Sequence, residues 1–289
     1  MHPGSIPGEA SKFPDPVSSA AGSCIVPRNL AAKRGLRPHA VARSPPRDSG
    51  GKTRAGAGQR QNGTVRGMIS DFSERRLKMV DGQIRTTDVT SAPLLDAFLT
   101  IPRERFIGSA DPAIAYIDED IRVATGPEGP RYLMEPSPLA RLIQLADVQP
   151  SDTVLDVGCG TGYSSAILSR LARSVVAVES DSGLAAQASA ALAQTGCANV
   201  DVVTGPLSQG HSAAAPYDVI LINGSVEEVP QALFDQLAEE GRLVAVEGNG
   251  NAGVARLFLK TTGVVTGRRA FNAAIKPLPG FERARVFEF

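Results

Sequence analysis

Two acids and three glycines carry the first chemical signal. They lie in and after the stretch Val154-Leu155-Asp156-Val157-Gly158-Cys159-Gly160-Thr161-Gly162-Tyr163. Glycines at 158, 160 and 162 let the backbone turn sharply and let a ligand come close, because no Cβ stands in the way. A helix opening behind such a turn presents unpaired N–H groups to that ligand. Glu179 follows about 20 residues later, the spacing of a carboxylate that accepts both hydroxyls of a ribose. The chemistry implied is the binding of a nucleoside. The dinucleotide fingerprint wants its third glycine three residues after the second. Here Tyr163 holds that place, Gly162 comes one residue early, and Asp156 stands two residues before the first glycine. The bland alternative is a glycine turn in some other α/β protein.

The elements that must position these residues follow from hydrophobic periodicity. Thr153–Val157 reads as a buried strand and Ser164–Leu171 as a helix, with Ala166, Ile167 and Leu171 for one face. Ser174–Val178 is a second strand ending in Glu179, Leu184–Leu192 an alanine-rich helix, and Val200–Val203 a third strand. Tyr217–Asn223 is an apolar run suited to a central parallel strand. Asn223 ends it, where open α/β sheets bind ligands; it serves either a substrate hydrogen bond or an Asn-Gly turn. Arg242–Val246 is a fifth strand, Ala255–Thr261 and Arg268–Ile275 a terminal pair, and Arg283–Phe289 a short closing strand. Glu227-Glu228 and Glu239-Glu240 read as solvated helix faces. Upstream, Ser70–Val80 is a helix facing a partner surface with Phe72, Arg76, Met79 and Val80. Thr90-Ser91-Ala92-Pro93 starts another, with the stripe Leu94, Leu95, Phe98 and Leu99, stopped by Ile101-Pro102. Both are expected beside the sheet and partly over the cofactor. His211, the single histidine after residue 67, is expected in an exposed loop.

Composition sets the bounds. The first 67 residues are rich in Pro, Gly, Ser, Ala and Arg and bury too little apolar surface to offset chain entropy, so disorder is expected there. The stretch is a targeting peptide, a basic arm for an anionic partner, or an over-extended reading frame; the abrupt change of character at Met68 favours the last. Residues 68–289 then form one α/β domain. The zero net charge hides a split: 11 basic and three acidic residues up to Arg66, 19 basic and 27 acidic after it. The folded part therefore offers no general attraction for nucleic acid. Cys24, Cys159 and Cys197 are sparse, lack metal-ligand spacing and suit a reducing, cytoplasmic compartment. Cys159 reads as a small residue tolerated in the turn. No apolar run is long enough to span a membrane.

The two acids and the glycine spacing resemble the cofactor site of class I S-adenosylmethionine-dependent methyltransferases. Further motifs narrow the resemblance to protein-L-isoaspartate O-methyltransferases. Gln83, Arg85, Asp88, Ala97, Ile101-Pro102-Arg103-Glu104, Phe106, Ala115-Tyr116 and Asp118 look like that family's N-terminal segment. Ala215-Pro216-Tyr217-Asp218, Val229-Pro230, Gly241-Arg242-Leu243-Val244 and Lys276-Pro277-Leu278 also fit, so the likeness covers most of Met68–Gly280. It implies a Rossmann-like, doubly wound, mostly parallel seven-stranded sheet with N-terminal helices. It also implies S-adenosyl-L-methionine as cofactor, bound by Asp156, Gly158, Gly160, Gly162, Tyr163, Glu179, Ser180, Pro206 and Leu207. Damaged proteins or peptides would be the substrate, with the acceptor near Met134 and Asn223, and neither metal nor membrane involved.

Two departures stand where the chemistry should be. The family's Thr-x-Ser hydroxyl motif precedes a Gln-Pro and a helix; here the stretch is Arg131-Tyr132-Leu133-Met134-Glu135-Pro136. Aligned on the proline, Met134 replaces the serine and Tyr132 the threonine. Methionine cannot supply a hydroxyl's hydrogen bonding; Ser137 or Thr125 could. The preceding loop, Thr125–Pro130, is longer than the family's. After the third strand, Thr204-Gly205-Pro206-Leu207-Ser208 lacks the acid the family sets by the adenine, leaving backbone groups or Ser208. The expected function is methylation of isoaspartyl carboxylates for protein repair. Alternatives are a methyltransferase with another acceptor, or a catalytically inactive cofactor- or partner-binding module.

Overall fold

Runs of β-branched residues make the strands of this chain, and small or aliphatic runs between them make the helices. The computed structural model describes residues 71–126, 128–248 and 250–282. The expected extension 1–67 and the closing strand 283–289 lie outside them. Helix α1 (residues 71–79) runs on through a π-helical turn, Val80–Ile84, and a 3-10 turn, Arg85–Thr87. Helix α2 (Ala92–Thr100) starts with proline in its first turn, and a 3-10 turn, Arg103–Arg105, follows. Strands β1 (Ile121–Gly126) and β2 (Gly129–Leu133) form a separate two-stranded antiparallel hairpin. The expected long loop at 125–130 is therefore the tip of a hairpin.

The main frame then alternates: α3 (Pro136–Ala146), β3 (Thr153–Val157), α4 (Tyr163–Ser169), β4 (Ser174–Glu179), α5 (Ser182–Gln194), β5 (Val200–Thr204), β6 (Tyr217–Val226), α6 (Gln231–Asp235), β7 (Leu237–Glu247), β8 (Val254–Thr261) and β9 (Val264–Asn272). The seven-stranded sheet has the order β5-β4-β3-β6-β7-β8-β9. Pairings from β5 to β7 are parallel; β8 and β9 are antiparallel. This matches the expected doubly wound, mostly parallel sheet. The chain reverses direction of growth between β3 and β6, and the turn 158–162 sits at the carboxyl end of β3 beside that switch point, where such sheets bind ligands.

Alternate residues of the strands feed two apolar cores. Val154, Val175, Ala177, Val219, Leu221 and Val244 face one, with α2, α3, α4 and α5 packed on them. Leu155, Val157, Val178, Ile220, Ile222 and Leu243 face the other, closed by Leu207, Leu233, Leu278 and Phe281. Arg242 of β7 satisfies the end of α3. It donates to the Ala146 carbonyl at 2.8 Å and the Asp147 carbonyl at 3.1 Å, and pairs with Asp152. That anchorage fixes α3 on the sheet and hence the Met134-Glu135 segment at its other end.

Three local readings change. Asn223-Gly224 is not a turn: the strand continues to Val226 through a register shift between Leu221 and Ser225. Gly224 permits this, because a Cβ there would lie 2.5 Å from Leu278 Cγ. Glu239-Glu240 lie on β7, with Glu240 at φ 59° and Glu239 accepting from the Thr262 and Gly263 N–H groups. Glu227-Glu228 lie in a bend after β6, exposed but not helical. Among the described residues no helix is long and apolar enough to cross a membrane.

Candidate functional site

The glycine turn is tied to the next strand through Val178, whose carbonyl accepts from Gly158 N at 2.8 Å. All three glycines hold left-handed φ values, 80°, 57° and 93°. Their surroundings differ. A Cβ on Gly158 would press on Leu278 Cδ2 at 2.8 Å, and one on Gly162 would meet Ala188 Cβ at 3.1 Å, where α4 packs on α5. A Cβ on Gly160 would meet nothing within 4 Å. Gly160 therefore faces the open side of the turn. Tyr163 does not: its fully buried ring sits 6.1 Å from that of Phe98, 5.6 Å from that of Phe106 and 4.9 Å from the Arg103 guanidinium carbon. What Tyr163 can offer a ligand is the N–H at the start of α4.

Asp156 is fully buried at the end of β3. Its Oδ2 accepts from the hydroxyls of Ser164 and Ser165, each at 2.6 Å, and Asn223 Nδ2 donates to Ser164 Oγ at 2.8 Å. Asp156 Oδ1 and Asn223 Oδ1 have no partner among the described residues. Burial, with the nearby Glu179 charge, outweighs the two hydroxyls and raises the Asp156 carboxyl to about 6. The folded chain thus binds this proton more tightly than the unfolded chain, where a carboxyl titrates near ~4. Asp156's contribution to stability is complete below about pH 4 and is lost as pH rises through about 6, a loss on the order of 3 kcal/mol. Urea unfolding of wild type and Asp156→Asn at about pH 3 and about pH 8, outside both pKa values, should show that difference shrinking by this amount in the variant.

Glu179 ends β4 with no exposed surface. Its Oε2 accepts from Gly160 N at 2.7 Å and its Oε1 from Asp181 N at 3.1 Å. Arg131, from β2, completes a fork on it: Nη1 pairs with Oε1, and Nη2 with Oε2 at 2.8 Å. Nη2 also points at the Gly158 carbonyl at 3.5 Å. Ser180 Oγ donates to Glu128 Oε2 at 2.9 Å, so the hairpin tip touches the same rim. On the far side, Gly205 N donates to the Glu179 carbonyl at 3.0 Å, Pro206 is exposed and Leu207 is buried in the second core.

The segment before α3 carries Met134, buried in the first core, with its carbonyl accepting from Arg103 Nη2 at 2.8 Å. Arg103 is itself fully buried and also donates from Nε to the Ala115 carbonyl at 2.8 Å. Glu135 N donates to Asp120 Oδ1 at 2.9 Å, closing the base of the hairpin. Partial burial, then the charges of Asp118 and Asp120, push the Glu135 carboxyl up to about 7. Neither substitute hydroxyl stands free beside Met134: Ser137 donates to Thr87 Oγ1 at 3.2 Å, and Thr125 is exposed on the hairpin. His211 is half-buried in a loop, its carbonyl accepting from Tyr217. Among the described residues no group of His, Cys, Asp and Glu has the geometry to hold a metal.

The structure thus brings Asp156, Gly158, Gly160, Glu179, Ser180 and Asn223 to one end of the sheet, with Met134 in the segment leading into α3. Three residues escaped sequence reasoning as site members. Arg131 reads as an ordinary loop cation until β2 turns it inward, and the only signal was the Gly-Pro-Glu-Gly turn between Ile121-x-Val123 and Arg131-x-Leu133. Ser164 and Ser165 lie in the expected helix, and no local pattern pairs them with Asp156. The open face of Gly160, the unmet acceptors of Asp156 and Asn223, and a carboxylate at the end of β4 fit a nucleoside carrying a cationic amino-acid tail.

The family model for protein-L-isoaspartate(D-aspartate) O-methyltransferase matches residues 74–278. A protein-L-isoaspartate O-methyltransferase from Koribacter versatilis is 35% identical over 212 residues, 73% of this chain and 94% of that one. Its counterpart from Methanoregula boonei is 38% identical over 176 residues, 61% of this chain and 79% of that one. Among solved structures, a protein-L-isoaspartate O-methyltransferase has a TM-score of 0.63 at 28% identity, over 71% of this chain and 67% of that one. A Plasmodium falciparum protein described as a beta-aspartate methyltransferase in complex with S-adenosyl-L-homocysteine scores 0.60 at 20% identity, a likeness of fold, over 70% and 97%.

Proposed function

Since this chain belongs to the protein-L-isoaspartate(D-aspartate) O-methyltransferase family, we infer that it methylates the carboxylate of isoaspartyl residues in damaged proteins, using S-adenosyl-L-methionine. The observation that carries this is the 35% identity sustained over 94% of a relative's length, beside a family match over 74–278 that takes in the whole sheet. Bound cofactor supplies an electrophilic methyl carbon on a sulfonium. The rest is the work of this chain's residues. Gly160 leaves room over the turn, Glu179 is the acceptor for the sugar, and Asp156 and Asn223 hold unmet acceptors. An isoaspartyl carboxylate is already ionised at neutral pH, its unperturbed pKa being near ~4. No general base is needed, and the protein acts by positioning and by excluding water. The half-buried His211 therefore has no required part. The methyl ester formed in this way closes to a succinimide, the route by which repair proceeds: the neighbouring backbone nitrogen attacks the ester carbonyl and the methoxy group leaves with the N–H proton as methanol.

One observation favours a second reading of the acceptor. Asp118, Asp120 and Glu135 gather negative charge beside Met134, where the family carries a hydroxyl. A neutral or cationic acceptor would meet less repulsion there. Transfer of labelled methyl to an isoaspartyl peptide decides between the two: measurable ester formation supports repair, while cofactor binding with no transfer supports another acceptor or an inactive binding module. Met134→Ser restores a hydroxyl at the end of the motif. It should raise isoaspartyl transfer by about tenfold, as a regained hydrogen bond of ~1.4 kcal/mol in the transition state would. The methyltransferase domain is taken as 68–289, which the match over 74–278 supports. A cytoplasmic location is supported by Cys159 and Cys197 being buried free thiols.

A further inference from the structure

Glu179 is the carboxylate on which the cofactor's sugar should rest, yet its acceptor capacity is fully used. An ionised carboxylate offers about four lone-pair sites. Here Gly160 N, Asp181 N and the two Nη groups of Arg131 take them. Two of these donors belong to the backbone of the turns and cannot leave. The other two sit on one side chain. Arg131 is 5% exposed and lies where two ribose hydroxyls would have to go.

We propose that Arg131 gates the cofactor site: it holds Glu179 in place of the ribose, and cofactor binds only the state in which the guanidinium has swung away from Glu179. This rests on S-adenosyl-L-methionine being the ligand. The hairpin pairs with itself and not with the seven-stranded sheet. Ile121, Val123 and Leu133 hold one of its faces in the first core, so the parts left to move are the exposed tip and the Arg131 side chain. The tip is held to the site rim by Arg131 on Glu179 and by Ser180 on Glu128. Further down, Lys276 lies 5.6 Å over the Tyr132 ring. A cleft of 290 Å³ lies among Gly126, Glu128, Arg131, Ser180 and Asp181. Withdrawing Arg131 would enlarge it toward Gly160. The pair is exchangeable because the guanidinium gains water as it leaves, and the ribose hydroxyls replace its donors on Glu179.

A closed majority state lowers apparent affinity in proportion to the open fraction. Arg131→Gln removes the competitor, so calorimetric titration with S-adenosyl-L-homocysteine should show binding tighter than wild type by about tenfold or more. Unchanged or weaker binding would overturn the gate, because Arg131 would then be neutral or would help hold the ligand. Wild type supplies an independent reading should the variant fail to fold. In ligand-free protein the Arg131 Nη nitrogens should give resolved NMR signals, the mark of a guanidinium that cannot rotate. Saturation with S-adenosyl-L-homocysteine should collapse them to one averaged signal; resolved signals that persist at saturation contradict the proposal. If neither chain binds, the cofactor reading fails and the gate with it. If wild type binds and Arg131→Gln matches it, the gate alone fails.

Discussion

Gly160→Val is expected to abolish detectable binding of S-adenosyl-L-methionine and S-adenosyl-L-homocysteine, at least a hundredfold loss, in a chain that still folds. Gly160 holds φ 57°, and its missing Cβ would project into space with no protein atom within 4 Å. The valine methyls have somewhere to go, and that place is where the ligand must lie. A β-branched residue at this φ costs about 1–3 kcal/mol of strain, which lowers Tm by a few degrees in a domain of this size. The Gly160 N–H bond to Glu179 also suffers if the turn relaxes. Circular dichroism melting beside calorimetric titration separates the two effects. Retained affinity in a folded Gly160→Val chain would place the ligand elsewhere. Gly162→Ala should behave differently, since its Cβ meets Ala188 of the α4–α5 packing and not the open face.

The second large effect is expected at Glu179. Glu179→Gln removes the charge that pairs with Arg131 in a site where the carboxylate has no exposed surface. Leaving one buried partner uncompensated typically costs about 3–5 kcal/mol. The amide also presents donors to Gly160 N or Asp181 N, which can only donate. Binding and stability should both fall, with ligand affinity below detection and Tm lower by roughly 10 °C. Adding Arg131→Gln removes the stranded cation. The double variant should therefore recover most of the lost stability while remaining unable to bind. This non-additivity is the signature of two residues acting as one unit. Simple additivity of the two losses in thermal melts would show that the pair is not coupled.

The central sheet was legible because parallel strands buried on both faces are continuous apolar runs, and Thr153–Val157, Ser174–Glu179 and Tyr217–Ile222 are such runs. The glycine turn and Glu179 were legible because their spacing is fixed by the geometry of a strand-turn-helix unit. The β1–β2 hairpin was not. Its strands are short, a bulge lies between Arg122 and Ala124, and Arg131 and Pro130 break the alternation that marks a strand. Arg131's partner lies 48 positions away, so no local pattern reveals that its charge is buried. Tyr163 was read as facing the ligand because it stands in the motif, but one step along α4 turns its side chain into the Phe98–Phe106 cluster. Asn223-Gly224 left two readings open for a related reason. The dipeptide favours a turn, yet packing of Leu278 against Gly224 keeps the strand extended.

A sulfonium nucleoside seated over Gly160 with its sugar on Glu179 underlies each of these effects. Calorimetric titration of the wild-type chain with S-adenosyl-L-homocysteine tests this most directly. A saturable, one-to-one heat that disappears in Gly160→Val is the predicted result. The absence of heat with both the methyl donor and its demethylated product, in protein that melts cooperatively, would contradict it.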